Sequence, residues 1–392
     1  MREGWINKKL CDVCQVSAGQ GAPQGEDNYS DEGIPFVKAG NLVELTNGKQ
    51  ESDIQKVPDE VAKTHKLVLY KAGSVVFAKS GMSCMKGHVY TLKNDCYVVS
   101  HLAILQPQNI SSAYLNYYLL HHKPNNLVKD EGYPSISLKD IENSTISVPT
   151  SIEQERKVVI ELDKIIELIR LKKEQLGDYE KLAQSLFYEM FGDPIENERG
   201  WEVKKFSEVA SFKNGLNFGK NENGYSYKIL GVGDFKDNFV VNSSSLEYIN
   251  LNAELSSDYF LNPEDIVFVR SNGSKELVGR CVSVDCTETT TYSGFCIRCR
   301  LNENSGVLPM YLLYVCKNKG IREYLTQSGR GCNISNVNQK ILNSTNIIIP
   351  PLSNQQLFIR LVELIEQQKA EIKRAIADLE TLLASRMQYW FD

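Results

Sequence analysis

The sequence predicts an α+β protein in which two mostly β domains, related by an internal pseudo-twofold, are separated by two long antiparallel coiled-coil helices. Three observations predict this fold class. Motifs of the first half return in the second, each half begins with short β-type runs punctuated by Gly, Asn and Pro, and each half ends in one long amphipathic stripe. At 392 residues the chain is long enough for each domain to bury its own core.

The internal repeat is the first of these observations. The opening segment Trp5–Val13 returns 196 positions later as Trp201–Val209. Near the end of each half, Ile141–Thr145 matches Ile341–Thr345, and each is followed by a strand that ends in proline. Because the matches keep their order along the chain, two domains of one plan are expected. The predicted segments are a domain over residues 1–150, a helix over 151–192, a domain over 193–350 and a helix over 351–392.

Each half ends in a long helix whose apolar residues recur at steps of three and four. One such helix alone would leave its stripe in water, so we expect the two to pair antiparallel or to pack against a partner. A helix from about Glu153 to Met190 would span about 55 Å. The polar residues Lys173 and Gln368 interrupt the stripes and are candidates for fixing the register. The positions assigned to partner binding are Leu162, Ile166, Ile169, Leu361, Leu364 and Leu379, and further stripe positions are Val159, Leu176, Leu357, Ile372 and Leu382.

Composition and charge limit the class of protein. Hydrophobic residues make up 42% of the chain and charged residues 24%, and no apolar run is long enough to span a bilayer, so we expect a cytoplasmic protein without membrane contact. The Cys-x-x-Cys pairs Cys11/Cys14 and Cys296/Cys299 lack a second pair at zinc-site spacing, so no metal site is expected. The formal net charge of −5 is unexpected for a nucleic-acid-binding protein, although acidic helices can hide basic faces elsewhere.

No catalytic motif is complete. The sequence has no Gly-x4-Gly-Lys-Ser/Thr phosphate loop, and Asn262–Asp265 lacks the second proline and the aromatic residue of a methyltransferase motif, so it is interpreted as a turn. Asp193, Glu202 and Lys204 have a spacing compatible with nuclease-bound Mg²⁺, but the equivalent first-half segment lacks the carboxylate. The adjacent histidines at the end of a short predicted helix are interpreted as surface residues. We expect no catalytic residue and no cofactor.

The segments that join domain and helix resemble a known family. In the first half, the strand Ile146–Pro149 leads into Ile152–Glu155, and in the second half Ile347–Leu352 leads into Gln355-Gln356. In order and duplication these junctions resemble the specificity subunits of type I restriction-modification systems, over the whole chain. Asn354 departs from the acidic residue that is common in that family.

The resemblance implies a subunit without catalytic activity, built from two target-recognition domains. It implies recognition of double-stranded DNA at two half-sites separated by a fixed number of unspecified base pairs. It also implies a scaffold for two methyltransferase subunits, which methylate adenine with S-adenosylmethionine, and for restriction subunits when these are present. The alternative is a two-domain interaction or spacer protein that does not bind DNA, which the acidic balance favours.

Candidate DNA-contacting residues follow from the chemistry of base recognition. Arg and Lys contact guanine edges or phosphates, and Asn pairs with adenine, so the candidates are polar residues on Gly-rich loops. One loop follows each of the matching strands Val75–Ser80 and Ile266–Ser271, and a second pair of loops precedes the junction strands. A hairpin turn in solvent is the alternative for the loops that follow these strands, and Tyr133 in the second pair could stack or simply pack. The candidates are Lys79, Ser80, Lys86, His88 and Tyr133 in the first domain, and Arg270, Asn272, Lys275, Arg280, Arg330 and Asn333 in the second.

Overall fold

The computed structural model describes residues 4–217, 224–235, 238–327 and 336–392. Packing divides the chain into two compact units. The first consists of Met1–Lys173 together with Arg374–Asp392, and the second of Glu174–Lys373. Both long helices therefore contribute residues to both units. The predicted division into four consecutive segments, at residues 1–150, 151–192, 193–350 and 351–392, stays a prediction.

The first half of the chain alternates short strands with short helices before one long helix. Its strands are β1 (Trp5–Lys9), β2 (Cys14–Ala18), β3 (Ile34–Val37), β4 (Lys56–Val57), β5 (Val75–Ala78), β6 (Val89–Thr91), β7 (Tyr97–Val98), β8 (Leu102–Pro107) and β9 (Thr145–Pro149). Its helices are α1 (Leu10–Val13), α2 (Asn41–Thr46), α3 (Asp59–Thr64), α4 (Ser112–His121), α5 (Leu138–Asn143) and α6 (Ile152–Phe191).

The strands of the first unit form two sheets and a ribbon. One sheet has the order β2-β8-β5-β6 with antiparallel neighbours, and the other has the order β4-β3-β7, in which β3 and β7 are parallel. Strand β1 pairs antiparallel with β9. The Val-Val-Phe-Ala sequence of β5 is buried along its whole length, because apolar residues on both faces suit a strand that is covered on both sides. One hydrophobic core joins these strands to α4 and to the start of α6.

The second half of the chain also runs through short strands and short helices to one long helix, but it has an added strand and differs in its short helices. Its strands are β10 (Glu202–Lys205), β11 (Ala210–Asn214), β12 (Tyr225–Leu230), β13 (Val240–Val241), β14 (Glu247–Leu251), β15 (Ile266–Val269), β16 (Cys281–Val284), β17 (Thr290–Tyr292), β18 (Cys296–Leu301) and β19 (Asn346–Ile349). Its helices are α7 (Phe206–Val209), α8 (Pro309–Lys317), α9 (Lys319–Gln327), α10 (Gln339–Ser344) and α11 (Leu352–Phe391).

The strand pairing of the second unit repeats that of the first. The order β11-β18-β15-β16 matches β2-β8-β5-β6, with β13 added at the edge beside β16. The order β14-β12-β17, with β12 and β17 parallel, matches β4-β3-β7, and the β10-β19 ribbon matches β1-β9. The duplication predicted from the sequence is confirmed, because each half repeats the same pairings in the same order.

Two glycines that align in the sequence repeat meet the same steric constraint. A Cβ atom on Gly19 would lie 2.2 Å from the carbonyl oxygen of Val98, and a Cβ atom on Gly215 would lie 2.2 Å from that of Ser293. Side-chain carbon atoms do not approach oxygen so closely, so only glycine allows the chain to pass beside β7 and β17. The backbone therefore requires this part of the sequence repeat in both units.

Helices α6 and α11 pair antiparallel, as predicted. In the first unit Glu161 binds Arg386, and the Lys173 ammonium lies 2.9 Å from the Glu380 carboxylate, so residue numbers rise along one helix as they fall along the other. Hydrophobic burial of the facing stripes holds the pair together. None of the helices within the described ranges is long and apolar enough to cross a membrane.

The second unit contains the other parts of the same two helices. The ring centroids of Phe187 and Phe358 lie 5.7 Å apart, in an edge-on arrangement. On α11 the buried positions advance by three or four residues, as in a coiled coil, and on α6 they do so from Val158 to Ile169 and again from Ala183 to Phe187. On α6 the buried stripe contains Val158, Leu162, Ile165, Ile169, Ala183 and Phe187, and on α11 Phe358, Val362, Ile365, Lys369, Ile372 and Ile376.

The exact seam differs from the predicted stripe. Val158 and Ile165 occupy seam positions where the sequence favoured their neighbours Val159 and Ile166, of which Val159 is half-buried and Ile166 exposed. Periodicity alone cannot separate adjacent apolar residues, since either choice continues a three-four pattern. The predicted polar interruptions are also displaced: Lys173 and Gln368 are exposed, and the polar side chain buried in the seam is that of Lys369.

Each long helix ends in the core of a unit, against a tyrosine. The Phe391 ring packs edge-on to Tyr114 at a centroid distance of 5.4 Å in the first unit, and Phe191 packs in the same way against Tyr311 at 5.0 Å in the second. Each tyrosine hydroxyl donates a hydrogen bond to a backbone carbonyl of the junction strand, β9 or β19. The aromatic ends of α6 and α11 are therefore equivalent parts of the two cores.

Candidate nucleic-acid interface

In the first unit the backbone brings the two predicted loops together. The Gly81 amide donates to the Pro134 carbonyl at 2.9 Å, and the Ile136 amide donates to the Lys79 carbonyl at 2.7 Å. Ser80 and Ser135 form a β-bridge between these contacts. Segments that are more than fifty residues apart in the sequence thus form one surface immediately beyond the buried strand β5.

Glycines shape the longer of these loops. Gly81 and Gly87 have φ values of +75° and +63° and bound the 3₁₀ turn Met82–Lys86. A Cβ atom on Gly87 would also lie 2.6 Å from the side-chain oxygen of Asn125. Positive φ values favour glycine, so the loop requires these residues at both of its ends. The buried Cys84 side chain anchors the turn to the core.

The side chains of this surface differ in exposure. Tyr133 is 87% exposed and Met82 is 71% exposed, and Lys86 is also exposed, whereas the candidates Lys79, Ser80 and His88 are half-buried. An exposed aromatic ring beside lysines can stack on a base or pack against a sugar. The five first-domain candidates therefore lie on or beside the two loops that the backbone joins beyond β5, and Tyr133 and Lys86 are the exposed ones among them.

Arg270 in the second unit occupies the position of Lys79. The Arg270 amide donates to the Phe295 carbonyl at 2.8 Å, as the Lys79 amide donates to His101 at 2.9 Å. The Val337 amide then donates to the Arg270 carbonyl at 2.9 Å, as in the corresponding contact of the first unit. A cation therefore follows the central buried strand in each unit. The candidates Arg330 and Asn333 lie outside the described residues.

The loop after Arg270 presents two of the remaining candidates. The Asn272 side-chain oxygen accepts a hydrogen bond from the Ser274 amide at 2.8 Å, which closes a turn, and Lys275 is exposed at the tip. With its oxygen so engaged, the Asn272 amide nitrogen still has donor capacity. The structure therefore places Arg270, Asn272 and Lys275 on one continuous loop.

Arg280 faces a cavity of about 360 Å³ in the second unit. Lys317 and Arg322 also line this cavity, together with Glu366. Arg322 donates hydrogen bonds to backbone carbonyls of the preceding loop, and burial together with the neighbouring Arg280 lowers its pKa. Sequence inspection missed Arg322, because it lies in an amphipathic helix where a cation usually faces solvent.

Two exposed residues beside the central strands were also missed. His101 and Phe295 accept the backbone hydrogen bonds of Lys79 and Arg270, and both side chains are exposed, Phe295 by 56%. Their equivalent positions in the repeat were the available signal. Phe295 is exposed beside the candidate Arg270, and a ring in this position could stack on a base or a sugar.

The Cys-x-x-Cys pairs do not form shared ligand sites. Cys296 and Cys299 lie in different hydrophobic cores, and burial raises the pKa of the Cys296 thiol to about 12. Cys14 is buried and donates to the Leu10 carbonyl at 3.1 Å, whereas Cys11 is exposed. A protonated buried thiol is a poor ligand, because metals bind the thiolate.

The segments considered for catalysis have local structural roles. The Asp193 carboxylate accepts hydrogen bonds from the backbone amides of Ile195 and Glu196 and so closes a turn. The Glu202 carboxylate lies 3.3 Å from the Lys204 ammonium on the β10-β19 ribbon. In Asn262–Asp265, the Asn262 amide donates to the Asp265 carboxylate at 2.7 Å, which confirms the turn. Asp265 is buried and forms an ion pair with Arg300, so its charge is matched inside the fold.

The six helix residues assigned to partner binding differ in how much of each side chain is exposed to solvent. Leu162 and Ile169 are buried within the chain, and Leu361 and Leu379 are half-buried. Ile166 is 37% exposed and Leu364 is 58% exposed. The apolar surface available to another protein on these helices is therefore carried by residues outside the seam.

Two β-rich units with equivalent loops, joined through long paired helices, define a duplicated binding scaffold. The family model of the type I restriction modification DNA specificity domain matches residues 2–178 and again residues 198–380. The chain therefore belongs to that family.

Three curated relatives are named as specificity subunits of type I restriction enzymes. The StySPI specificity subunit of a type I restriction enzyme from Salmonella potsdam is 22% identical over 98% of this chain and 87% of its own length. The EcoKI specificity subunit from Escherichia coli K12 is 21% identical over the same shares. The MjaIX specificity subunit from Methanocaldococcus jannaschii is 30% identical over 38% of this chain and 34% of its own length.

Solved structures agree in fold. The S subunit of a type I restriction-modification system from M. genitalium matches with a TM-score of 0.53 and 12% identity, over 99% of this chain and 96% of its own. A chain from a structure of type I R-M complex assembly and conformational transition matches with a TM-score of 0.60 and 18% identity, over 99% and 97%. At these identities the likeness shows the fold.

Proposed function

We propose that this chain is the DNA-specificity subunit of a type I restriction-modification complex, and that it has no catalytic centre of its own. The observation that carries this proposal is the double family match, one match to each half, on a chain whose halves carry equivalent loops. Its relatives are named as specificity subunits. DNA and methyltransferase subunits are the partners of such a protein, and the cytoplasm is its location.

Each unit recognises one half-site in this proposal. Lys79 and Arg270 follow the central strands of the two units and lie on surfaces assembled from two chain segments. A lysine contributes contacts to phosphate, and an arginine can bond bidentately to guanine. Tyr133 and Phe295 add exposed rings that can contact bases or sugars. The contacting set in each unit is centred on the residue that follows the buried strand.

The paired helices fix the gap between the half-sites. Helices α6 and α11 each contain 40 residues, which corresponds to about 60 Å of helix. Two methyltransferase subunits bind this chain, and restriction subunits join when they are present. Ile166 and Leu364 are exposed apolar residues outside the seam and belong to the surfaces that such partners cover.

A matched pair of variants tests recognition by half-sites. In the complex with its methyltransferase subunits, Lys79→Ala should weaken binding to DNA and Arg270→Ala should do the same, and each should alter one half-site only. Loss of a base contact should cost about 1–3 kcal/mol of discrimination at one base pair. Loss of a phosphate contact should reduce the slope of log affinity against log salt by about 0.9. Mapping methylated adenines over a genome provides the sequence readout.

Lys71→Ala is the charge-matched control. Lys71 is exposed and lies 2.7 Å from Asp95, outside the proposed surface, so this variant should leave affinity and sequence preference unchanged. If either test variant altered both half-sites, the assignment of one half-site to each unit would be wrong. If neither variant changed the DNA affinity of the complex or its salt dependence, the two-domain spacer that does not bind DNA would be the better interpretation.

A further inference from the structure

We propose that His121, His122 and Asp392 form a binding site for a divalent transition-metal ion of the zinc class. The three residues lie in the first unit, where α4 ends beside the end of α11. One ligand atom from each residue lies within 4.8 Å of the other two. The sequence predicted no metal site, because the Cys-x-x-Cys pairs lack a second pair and the two adjacent histidines were interpreted as surface residues.

The distances suit one shared ion. The Nε2 atom of His121 lies 2.8 Å from the Oδ1 atom of Asp392, and the Nε2 atom of His122 lies 3.9 Å from the same oxygen. Zinc bonds of about 2.0–2.1 Å in tetrahedral geometry place neighbouring ligand atoms about 3.3 Å apart. The two observed distances lie on either side of that value, and all three ligand atoms lie within 4.8 Å of one another, so side-chain rotations that also release His122 from the Phe391 carbonyl, 3.4 Å away, bring the set together on one ion.

The backbone and the neighbouring rings orient both imidazoles before an ion binds. His122 leaves the helical conformation, with φ −92° and ψ 76°, which lets two consecutive side chains approach one carboxylate. The His122 ring lies 4.4 Å from that of Tyr118, and the His121 ring lies 5.9 Å from that of Phe391. Phe391 is itself buried in the core. Such packing lowers the entropy lost when the ligands are ordered on a metal.

Ligand chemistry and exposure favour zinc or a neighbouring transition metal. Imidazole nitrogen suits zinc, copper and nickel, and one carboxylate completes a three-ligand set with positions left for water. The side chains of His121, His122 and Asp392 are 21%, 40% and 50% exposed, so an ion can enter from solvent. On binding, the ion takes the place of the direct contact between His121 and Asp392 and thereby links the end of α11 to α4.

The repeat predicts one such site per chain. Aligning Tyr114 with Tyr311 places Asn318 and Lys319 of the second unit where the first unit has its two histidines. Asn318 there donates a hydrogen bond to the Tyr188 hydroxyl at 2.9 Å. An amide and an ammonium group are not comparable ligands, so the second unit should not bind a second ion in this way.

Metal titration of the full chain tests the proposal. Equilibrium dialysis against Zn²⁺, with metal analysis, should give one tightly bound ion per chain. Replacement by Co²⁺ should give the absorption of nitrogen and oxygen ligation, without a thiolate charge-transfer band. The variants His121→Ala, His122→Gln and Asp392→Asn should each weaken binding by at least about tenfold. His65→Ala and Cys11→Ser remove exposed groups elsewhere and should leave binding unchanged.

A folding control separates ligand loss from unfolding. Circular dichroism and thermal melting without metal should show that His122→Gln and Asp392→Asn retain the fold, and Zn²⁺ should raise the melting temperature of the unaltered chain only. The proposal is overturned if the unaltered chain binds no stoichiometric ion. It is also overturned if Cys11→Ser abolishes binding while the three ligand variants keep it.

Discussion

Truncation of the aromatic ends of the long helices should destabilise the units in which those ends lie. Phe391 is 4% exposed and packs in the core of the first unit, although it lies at the end of the second-half helix. Phe191 is 0% exposed and packs in the core of the second unit, although it ends the first-half helix. We expect Phe391→Ala to loosen the first unit and Phe191→Ala to loosen the second.

The magnitude follows from burial and from ring contacts. Replacing a buried Phe by Ala costs about 3–5 kcal/mol when the core does not collapse around the cavity. Phe391 also makes edge-on contacts with Tyr114 and Tyr118 at centroid distances of 5.4 and 5.7 Å, and Phe191 makes such contacts with Tyr311 and Phe358 at 5.0 and 5.3 Å. These contacts place both variants in the upper part of the range.

Hydrogen exchange followed by mass spectrometry resolves the two units in one experiment. A loss of about 3–5 kcal/mol should speed exchange of the protected amides by about 100-fold to 4,000-fold, at about 1.4 kcal/mol per tenfold change. Phe391→Ala should have this effect in α4 and in β1 and β9, and Phe191→Ala in α8 and in β10 and β19. A whole-chain melting temperature would not separate the units, because a chain of several cores need not unfold in two states.

The location of the lost protection decides the outcome. If Phe391→Ala exposed β10 and β19 while β1 and β9 stayed protected, the assignment of Phe391 to the first core would be wrong. If both variants affected both units equally, the cores would unfold as one cooperative body. Tyr389→Ala is the control: Tyr389 is 52% exposed near the end of α11, so its truncation should change exchange in α4 by much less.

Three further predictions concern single side chains. Gly19→Ala should lower stability by about 1–3 kcal/mol, because its Cβ atom would lie 2.2 and 2.3 Å from backbone carbonyl oxygens; Gly21→Ala, with open space around its Cβ atom, is the control in urea titrations. The Arg386 guanidinium lowers the pKa of the Glu161 carboxyl, so this ion pair stabilises the fold at pH values above the ordinary glutamate pKa. Its stabilisation is lost as the pH falls through the lowered pKa of Glu161. Glu161→Gln should therefore flatten the decline of the melting temperature below about pH 5, and it should lower stability at pH 7 by less than about 1 kcal/mol. Lys369→Ile, which introduces the residue found at the equivalent seam position of α6, should leave stability unchanged or raise it by about 1 kcal/mol, and a marked drop in urea titration would show that the buried ammonium is needed.

The fold was predictable from the sequence to the level of its repeat and its helices. The matching segments keep their order in the two halves, as Trp5–Val13 and Trp201–Val209 show, and this order predicts a duplicated domain without any knowledge of contacts. Heptad-like spacing likewise reports two long helices that need a partner stripe. Periodicity could not choose between Ile165 and Ile166, because both are apolar and packing across the pair decides which one is buried.

The sequence predicted which loops belong to the candidate site better than it predicted which residues meet there in space. Glycines after a buried strand indicated the loop that follows β5, but the contact between Gly81 and Pro134 depends on tertiary folding over a long sequence separation. His121 and Asp392 are 271 positions apart, and no local pattern connects them. Sequence spacing predicts which residues share a face of one helix or strand. It cannot predict contacts that form only when the end of a long helix packs into the core of a distant part of the chain.

Comparison of the two halves separates structural residues from functional candidates. Gly19 and Gly215 face the same steric limit, and Phe391 and Phe191 fill the same place against a tyrosine, so fold requirements account for their recurrence. Where the halves differ at equivalent backbone positions, the fold imposes no such identity. Lys79 and Arg270 differ in this way: they occupy equivalent positions and make equivalent backbone hydrogen bonds, but one side chain ends in an ammonium group and the other in a guanidinium group. If each unit contacts its own half-site, base preference should reside in such unlike pairs, while exchange of the shared residues should alter stability and leave the recognised sequence unchanged.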